Sequence, residues 1–87
     1  MSNFRKRILI DLDGVLNNYG KEKFNEKFIP EIKDGAYEFI KELSEYAELY
    51  LFTTRNLILA TKWLIKYDLD KYFYRCYKYK NTFIPIH

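Results

Sequence analysis

A short apolar run that ends in two aspartates constrains this chain more than any other feature. Residues 7–12 read RILIDL, and the next two residues complete the segment Asp11-Leu12-Asp13-Gly14. The run is too short for a helix and its apolar residues are consecutive, which predicts a buried strand. Carboxylates at the exit of such a strand lie where α/β proteins bind their ligands.

The rest of the chain alternates helical and strand patterns. Apolar residues recur at helical spacing from Ala36 to Ala47, with Asp34 as the expected N-cap. A second apolar strand is expected at residues 48–53 and a second helix at residues 57–67. Two weaker patterns follow: residues 72–77 fit a strand or a loop, and residues 82–86 fit a strand. This order predicts the α/β class, with a parallel sheet and helices packed on its faces.

Length and composition predict a single domain over residues 1–87. Hydrophobic residues make up 48% and aromatic residues 20% of the chain, which excludes intrinsic disorder. Cys76 is the only cysteine, so an intramolecular disulfide and a four-cysteine zinc site are excluded, and a reducing, cytoplasmic compartment is favoured. No apolar run approaches the ~20 residues of a membrane span, and the apolar stretch near the N-terminus is too short for a secretory signal.

One segment has the composition of a nucleic-acid surface. Residues 71–80 read KYFYRCYKYK, which is basic and aromatic without an acid. Rings that stack on bases and cations that meet phosphates are typical of single-strand binders. The formal net charge of the chain is only +3, which favours an aromatic edge strand with solvated lysines. Nucleic acid and membranes are therefore not expected partners.

The two aspartates are expected to act together. On an extended chain, side chains two residues apart point the same way, so Asp11 and Asp13 would address one site. Mutual repulsion favours a bound cation, which would make a magnesium site, or a protonated partner, which would make a general acid beside a nucleophile. Gly14 permits a sharp turn and exposes backbone amides to an anion. The alternative is that both acids only cap that turn.

The segment ILIDLDGVLN, followed by a helix and then by LYLFTTRN, resembles the first two motifs of the haloacid dehalogenase superfamily of phosphatases. The resemblance spans most of the chain and implies a three-layer, Rossmann-like core that is short at its C-terminal end. It implies that Asp11 is the nucleophile that forms an aspartyl-phosphate, that Asp13 is the acid/base, and that both bind Mg²⁺. It also implies that Asp11 and Asp13 converge at the end of a central parallel strand. The Thr53 hydroxyl, at the end of the neighbouring strand, would hold a phosphoryl oxygen beside the Thr54 amide.

Further residues follow from the same resemblance. The phosphate-facing lysine of the third motif is best matched by Lys80, with Lys78 as the alternative. Small members with a Thr-x-Arg second motif are placed with capsule and polysaccharide biosynthesis genes, and there Arg55 would contact the substrate. The segment before Gly35 is too short for an inserted cap domain. Capless members leave the site open, and they close it by forming homo-oligomers or accept large substrates.

The fourth motif, an acidic magnesium ligand after the next strand, has no counterpart. No Asp or Glu follows Asp70, and His87 is the last residue. The expected site therefore has the Asp11 carboxylate and the Asp13 backbone carbonyl and binds magnesium weakly. The alternatives are that the His87 ring or carboxylate is a further ligand, or that the sequence is truncated before the missing acid. The expected function is a magnesium-dependent phosphomonoesterase acting through an aspartyl-phosphate on a sugar phosphate or nucleotide. The alternative is a catalytically impaired relative that binds a phosphorylated ligand or a protein partner.

Overall fold

The structure is a computed structural model that describes residues 6–18, 28–78 and 82–86. Its elements in chain order are β1 (Lys6–Asp11), α1 (Ala36–Ser44), β2 (Ala47–Phe52), α2 (Leu57–Lys66), β3 (Phe73–Lys78) and β4 (Thr82–Pro85). A 3₁₀ turn at Asp70–Tyr72 precedes β3. The predicted α/β class is confirmed. In the described part of the chain, no helix is long and apolar enough to cross a membrane.

The four strands form one sheet in the order β1-β2-β3-β4. β1 pairs with β2 and β2 with β3 in parallel, whereas β4 pairs with β3 antiparallel. The prediction of an entirely parallel sheet is therefore wrong for the last strand. The connection from Lys78 to Thr82 is too short for the crossover of about a dozen residues that a parallel return needs. β1 is an edge strand of the described sheet, not the central strand that was expected.

One face of the sheet carries the core. Along β2, burial alternates, so Ala47, Leu49 and Leu51 are buried while the residues between them are half-buried. The parallel register places Ile10 and Cys76 beside Leu51, and both are also buried. The buried residues of α1 and α2 belong to the same core cluster. Right-handed crossovers that advance in one direction along a sheet place successive helices on the same face. In the described residues the helices therefore cover one face, and no third layer is seen there.

The two helices begin differently. The side chain of Asn56 caps α2 by accepting hydrogen bonds from the amides of Ile58 and Leu59 at 2.9 and 3.1 Å. The N-cap of α1 is Gly35, which has a φ of 83° and makes no side-chain cap bond. The expected Asp34 cap is therefore wrong by one residue. Within the apolar pattern that predicted α1, Ile40 is fully buried, whereas Phe39 is 48% exposed.

Candidate functional site

The carboxyl ends of β1 and β2 lie side by side. In the parallel register Asp11 is opposite Phe52, and the Leu12 amide donates to the Phe52 carbonyl at 3.0 Å. The next residue, Thr53, donates its amide to the Tyr77 carbonyl at 3.0 Å, which continues the ladder towards β3. The structure therefore places Asp11 and Thr53 at the same end of neighbouring strands, where α/β sheets bind ligands.

The chain turns immediately after Asp11. The Leu16 amide donates to the Leu12 carbonyl at 3.0 Å, and Gly14 has a φ of 83°, a conformation that glycine adopts without a Cβ clash. Asp13 therefore lies in a turn rather than in an extended strand. The premise that strand alternation points Asp11 and Asp13 the same way is wrong, because the strand ends between them. The Asp11 residue is exposed, whereas the Asp13 side chain is only 18% exposed.

A buried arginine holds the Asp13 carboxylate. The Nε atom of Arg55 lies 2.9 Å from Oδ1 and 3.0 Å from Oδ2 of Asp13, and the arginine side chain is 1% exposed. Its Nη1 donates to the Phe28 carbonyl at 2.9 Å, and its backbone amide donates to the Thr53 hydroxyl oxygen at 3.0 Å. Arg55 thus ties together three segments that are distant in sequence. Arg55 was expected to contact the substrate, but its guanidinium is buried against the protein and presents no exposed group for such a contact.

Asn17 is the second residue that orients Asp13, and the sequence analysis had not singled it out. It is fully buried, and its Nδ2 donates to Asp13 Oδ1 at 3.0 Å. Its Oδ1 accepts a hydrogen bond from the Gly14 amide at 3.1 Å, so that amide serves the turn instead of facing an anion. An Asn within a turn is a sequence signal for such local bonds. Its burial is not readable from sequence.

A lysine lies at the same turn. Lys33 is exposed and its Nζ donates to the Gly14 carbonyl at 2.7 Å. The backbone amide of Lys33 donates to the Leu16 carbonyl at 2.8 Å, which brings the chain before α1 against the turn. Sequence reasoning missed this lysine because it precedes α1, far from both motifs. The expected lysine, Lys80, lies outside the described residues, as does His87, and Lys78 ends β3.

The two threonines of the second strand end differ in exposure. Thr53 is 2% exposed, whereas Thr54 is exposed in the turn that leads to α2. The Thr53 hydroxyl oxygen accepts from the Arg55 amide, and within the part of the chain that the structure describes no group accepts the hydroxyl proton. Thr53 therefore organises the turn, and any hydrogen bond that it donates to a phosphoryl oxygen would use its single hydroxyl hydrogen.

The oxygen donors at this edge are few. Within residues 6–18, 28–78 and 82–86, no group of three or more His, Cys, Asp and Glu side chains is placed to hold a metal ion. The Asp11 carboxylate is exposed, and no hydrogen bond or ion pair engages it in that part of the chain. The Asp13 carboxylate is engaged by Arg55 and Asn17, which leaves its backbone carbonyl. One carboxylate and one carbonyl suit a hard cation that keeps most of its ligands as water.

Comparisons with known proteins do not assign the chain to a family. No protein-family model matches it, and neither the curated proteins nor the solved structures gave a match. Functional inference therefore depends on the two motifs and on the geometry of Asp11, Asp13, Thr53 and Arg55.

Proposed function

We propose that this chain is a magnesium-dependent phosphomonoesterase of the haloacid dehalogenase type. Its substrate would be a small phosphorylated metabolite, either a sugar phosphate or a nucleotide. The observation that carries the proposal is the Asp11 carboxylate, which is exposed and has no side-chain partner within residues 6–18, 28–78 and 82–86, at a sheet edge where Arg55 holds a second carboxylate, that of Asp13. A three-layer Rossmann-like core in the whole protein is part of this proposal.

The reaction uses Asp11 twice. An Asp11 carboxylate oxygen attacks phosphorus, the bond from phosphorus to the leaving oxygen breaks, and Asp13, which must enter this step in its protonated form, donates its proton to that oxygen. A water molecule then gives its proton to Asp13 and attacks phosphorus, which breaks the bond to Asp11 and releases inorganic phosphate. Magnesium held by the Asp11 carboxylate and the Asp13 carbonyl would reduce the repulsion between the phosphoryl oxygens and the carboxylate.

Arg55 and Asn17 position Asp13 for the proton transfer. Oδ1 of Asp13 accepts from both side chains, whereas Oδ2 accepts only from the arginine in the contacts described above. We therefore infer that Oδ2 is the oxygen that exchanges the proton. A carboxyl group that is fixed in this way loses little orientational freedom when the substrate binds, and such alignment supports catalysis.

A second candidate follows from the same contacts. Because the Asp13 carboxylate is already engaged, Asp11 is the one carboxylate that the described residues leave for a metal at this edge. A site with one carboxylate among its described residues would be able to bind a phosphorylated ligand or a protein partner without turning a substrate over. Binding and turnover therefore have to be measured separately.

The test is hydrolysis of an aryl phosphate with and without magnesium. We expect magnesium-dependent turnover, and we expect Asp11→Asn to reduce it by at least about 1,000-fold because the nucleophile is lost. Asp11 is exposed, so its variant should unfold at the same urea concentration as the wild type. The matched control is Glu45→Gln, an exposed acid beside the opposite end of β2, which should be fully active.

Two outcomes count against the phosphatase. Undiminished turnover in Asp11→Asn would place the chemistry elsewhere. Absence of turnover with magnesium, together with saturable binding of inorganic phosphate that Asp11→Asn alters, would favour the non-catalytic relative.

A further inference from the structure

The outer edge of β1 is open in the described part of the chain. β1 is the first strand of the sheet order and pairs only with β2 there. Because the Leu12 amide donates to β2, alternation along the strand points the backbone groups of Arg7, Leu9 and Asp11 away from β2. Proteins usually protect such an edge with a charge, a proline or a bulge. The central residues of β1, Ile8-Leu9-Ile10, contain none of these, and their register with β2 is regular.

An apolar side chain marks the middle of this edge. Leu9 is 57% exposed, on the face opposite the helices, whereas Ile10 is buried in the core. Arg7 and Asp11 lie on the same face as Leu9, one on each side of it, since side chains two residues apart share a face. The edge therefore presents a cation, an apolar residue and an acid in a row.

We propose that β1 pairs antiparallel with β1 of a second copy of this chain, so that two sheets join in a twofold-symmetric dimer. In the proposed register Leu9 is opposite the partner's Leu9, and Arg7 is opposite the partner's Asp11. Every outward backbone group in the strand is then paired, giving about six interstrand hydrogen bonds. Counted within Lys6–Asp11, a shift of two residues in either direction leaves about four of these bonds and moves Arg7 away from the partner's Asp11.

Charge complementarity selects a second copy as the occupant of this edge. The row of cation, apolar residue and acid is complementary to itself when it is read in the opposite direction, as an isologous interface requires. The Arg7 Nε atom lies 3.4 Å from a carboxylate oxygen of Glu48 in its own chain, and the Arg7 side chain is 74% exposed. An exposed ion pair contributes little energy, so it competes only weakly with pairing to the partner's Asp11. Edge pairing alone buries less area than the ~1,200–2,000 Å² of a stable interface, and the dimer is expected to be concentration-dependent.

Dimerisation would also alter the candidate site. The partner's Arg7 would lie opposite Asp11, close enough for a cross-strand ion pair. If the proposed phosphatase function holds, each site would gain a guanidinium for the phosphoryl group from the other copy. This consequence rests on the proposed function, whereas the dimer itself does not.

Sedimentation equilibrium over a range of concentrations tests the dimer. We expect a monomer–dimer equilibrium in the wild type and a dissociation constant at least about tenfold higher in Leu9→Lys, which places two lysines opposite each other. The matched control is Ile65→Lys, since Ile65 is 56% exposed on α2, as exposed as Leu9. Arg7→Asp should weaken the dimer, and adding Asp11→Arg to it should restore association. Thermal unfolding of each variant confirms that the monomer is folded.

Hydrogen exchange provides a second measurement that depends only on the wild-type chain. The amides of Arg7, Leu9 and Asp11 should exchange more slowly as the protein concentration rises.

A chain that stays monomeric at every concentration overturns the proposal. Tyr74 tests the other exposed surface of the sheet: it is 47% exposed, and its ring lies 5.8 Å from that of Tyr50 on the face opposite the helices. If the chain still associates in Leu9→Lys but not in Tyr74→Lys, the contact lies on that face and the proposal is overturned. Activity that rises with the dimer fraction supports the role of Arg7. A dimer without activity leaves the interface intact and counts against the phosphatase alone.

Discussion

The Nε atom of Arg55 lies within 3.0 Å of both carboxylate oxygens of Asp13, across 42 residues of sequence. The guanidinium is almost completely buried, so the pair is shielded from water. Burial of two charges carries a desolvation cost, which this pair offsets with further hydrogen bonds from Asn17 and to the Phe28 carbonyl. The contact therefore fixes the turn after β1 against the end of β2.

Removing Asp13 leaves the Arg55 guanidinium uncompensated. We expect Asp13→Ala to lower the free energy of unfolding by about 3–5 kcal/mol, measured by urea denaturation. Arg55→Met should also lower the free energy of unfolding. The double variant should lose clearly less stability than the sum of the two single losses, because the second change removes the charge that the first left unpaired. Additive effects would contradict the importance of the pair. The control is Lys71 with Asp68, an ion pair with side chains 49% and 69% exposed, whose removal should change the free energy of unfolding far less because solvent screens it.

Asn17 should matter for both stability and turnover. In Asn17→Ala the Gly14 amide loses its acceptor and Asp13 loses a donor, at a cost of about 1–3 kcal/mol in unfolding free energy. If Asp13 is the acid/base, kcat should fall while KM changes little, because the variant misorients the carboxylate rather than the binding groups. Asn18→Ala is the matched control, since Asn18 is exposed and its side chain, among the described residues, donates only to the Ile32 carbonyl at 3.5 Å. Equal effects of the two variants would contradict the role of Asn17.

Lys33 and Lys80 are competing sources of a cation for the phosphoryl group. Lys33→Met should reduce kcat/KM for an aryl phosphate by about tenfold, the usual effect of losing one charged contact, because its Nζ lies at the Gly14 carbonyl. Lys62→Met, an exposed lysine on α2, should have no effect. A loss of activity in Lys80→Met with full activity in Lys33→Met would show instead that the lysine of the third motif has this role.

Cys76 should make stability depend on alkaline pH. Burial raises the pKa of its thiol from 9.0 to about 11. Between these values the unfolded thiol loses its proton while the folded thiol keeps it, so the free energy of unfolding falls as pH rises from 9 towards 11. Cys76→Ala should show a shallower decline in urea denaturation at these pH values. A decline remains in the variant because burial also raises the pKa of Tyr50. An identical pH dependence of the two proteins would contradict this account.

Local patterns predicted the elements well. The apolar runs became β1 and β2, and the helical spacing of Leu57, Ala60 and Leu64 became the buried face of α2. The parallel pairing of β1 with β2 followed because the chain between them is long enough for a helical crossover. These features depend on residues within a few positions of one another, or on the length of a connection, and both can be read from a sequence.

The sequence by itself determined the class, the main strands and helices, and the carboxyl-edge position of Asp11 and Thr53. The tertiary structure decided which polar groups meet: the turn that separates Asp13 from the strand, the burial of Arg55 against it, the two hydrogen bonds of Asn17, and the reversal of β4 at the far edge. It also decided that β1 lies at an edge of the described sheet, which no pattern within the strand reveals. The physical reason is that an apolar period fixes only which face of an element is buried. The partner of a buried charge is set by contacts across many residues, and the energy of such a pair depends on distances that only the packed chain defines.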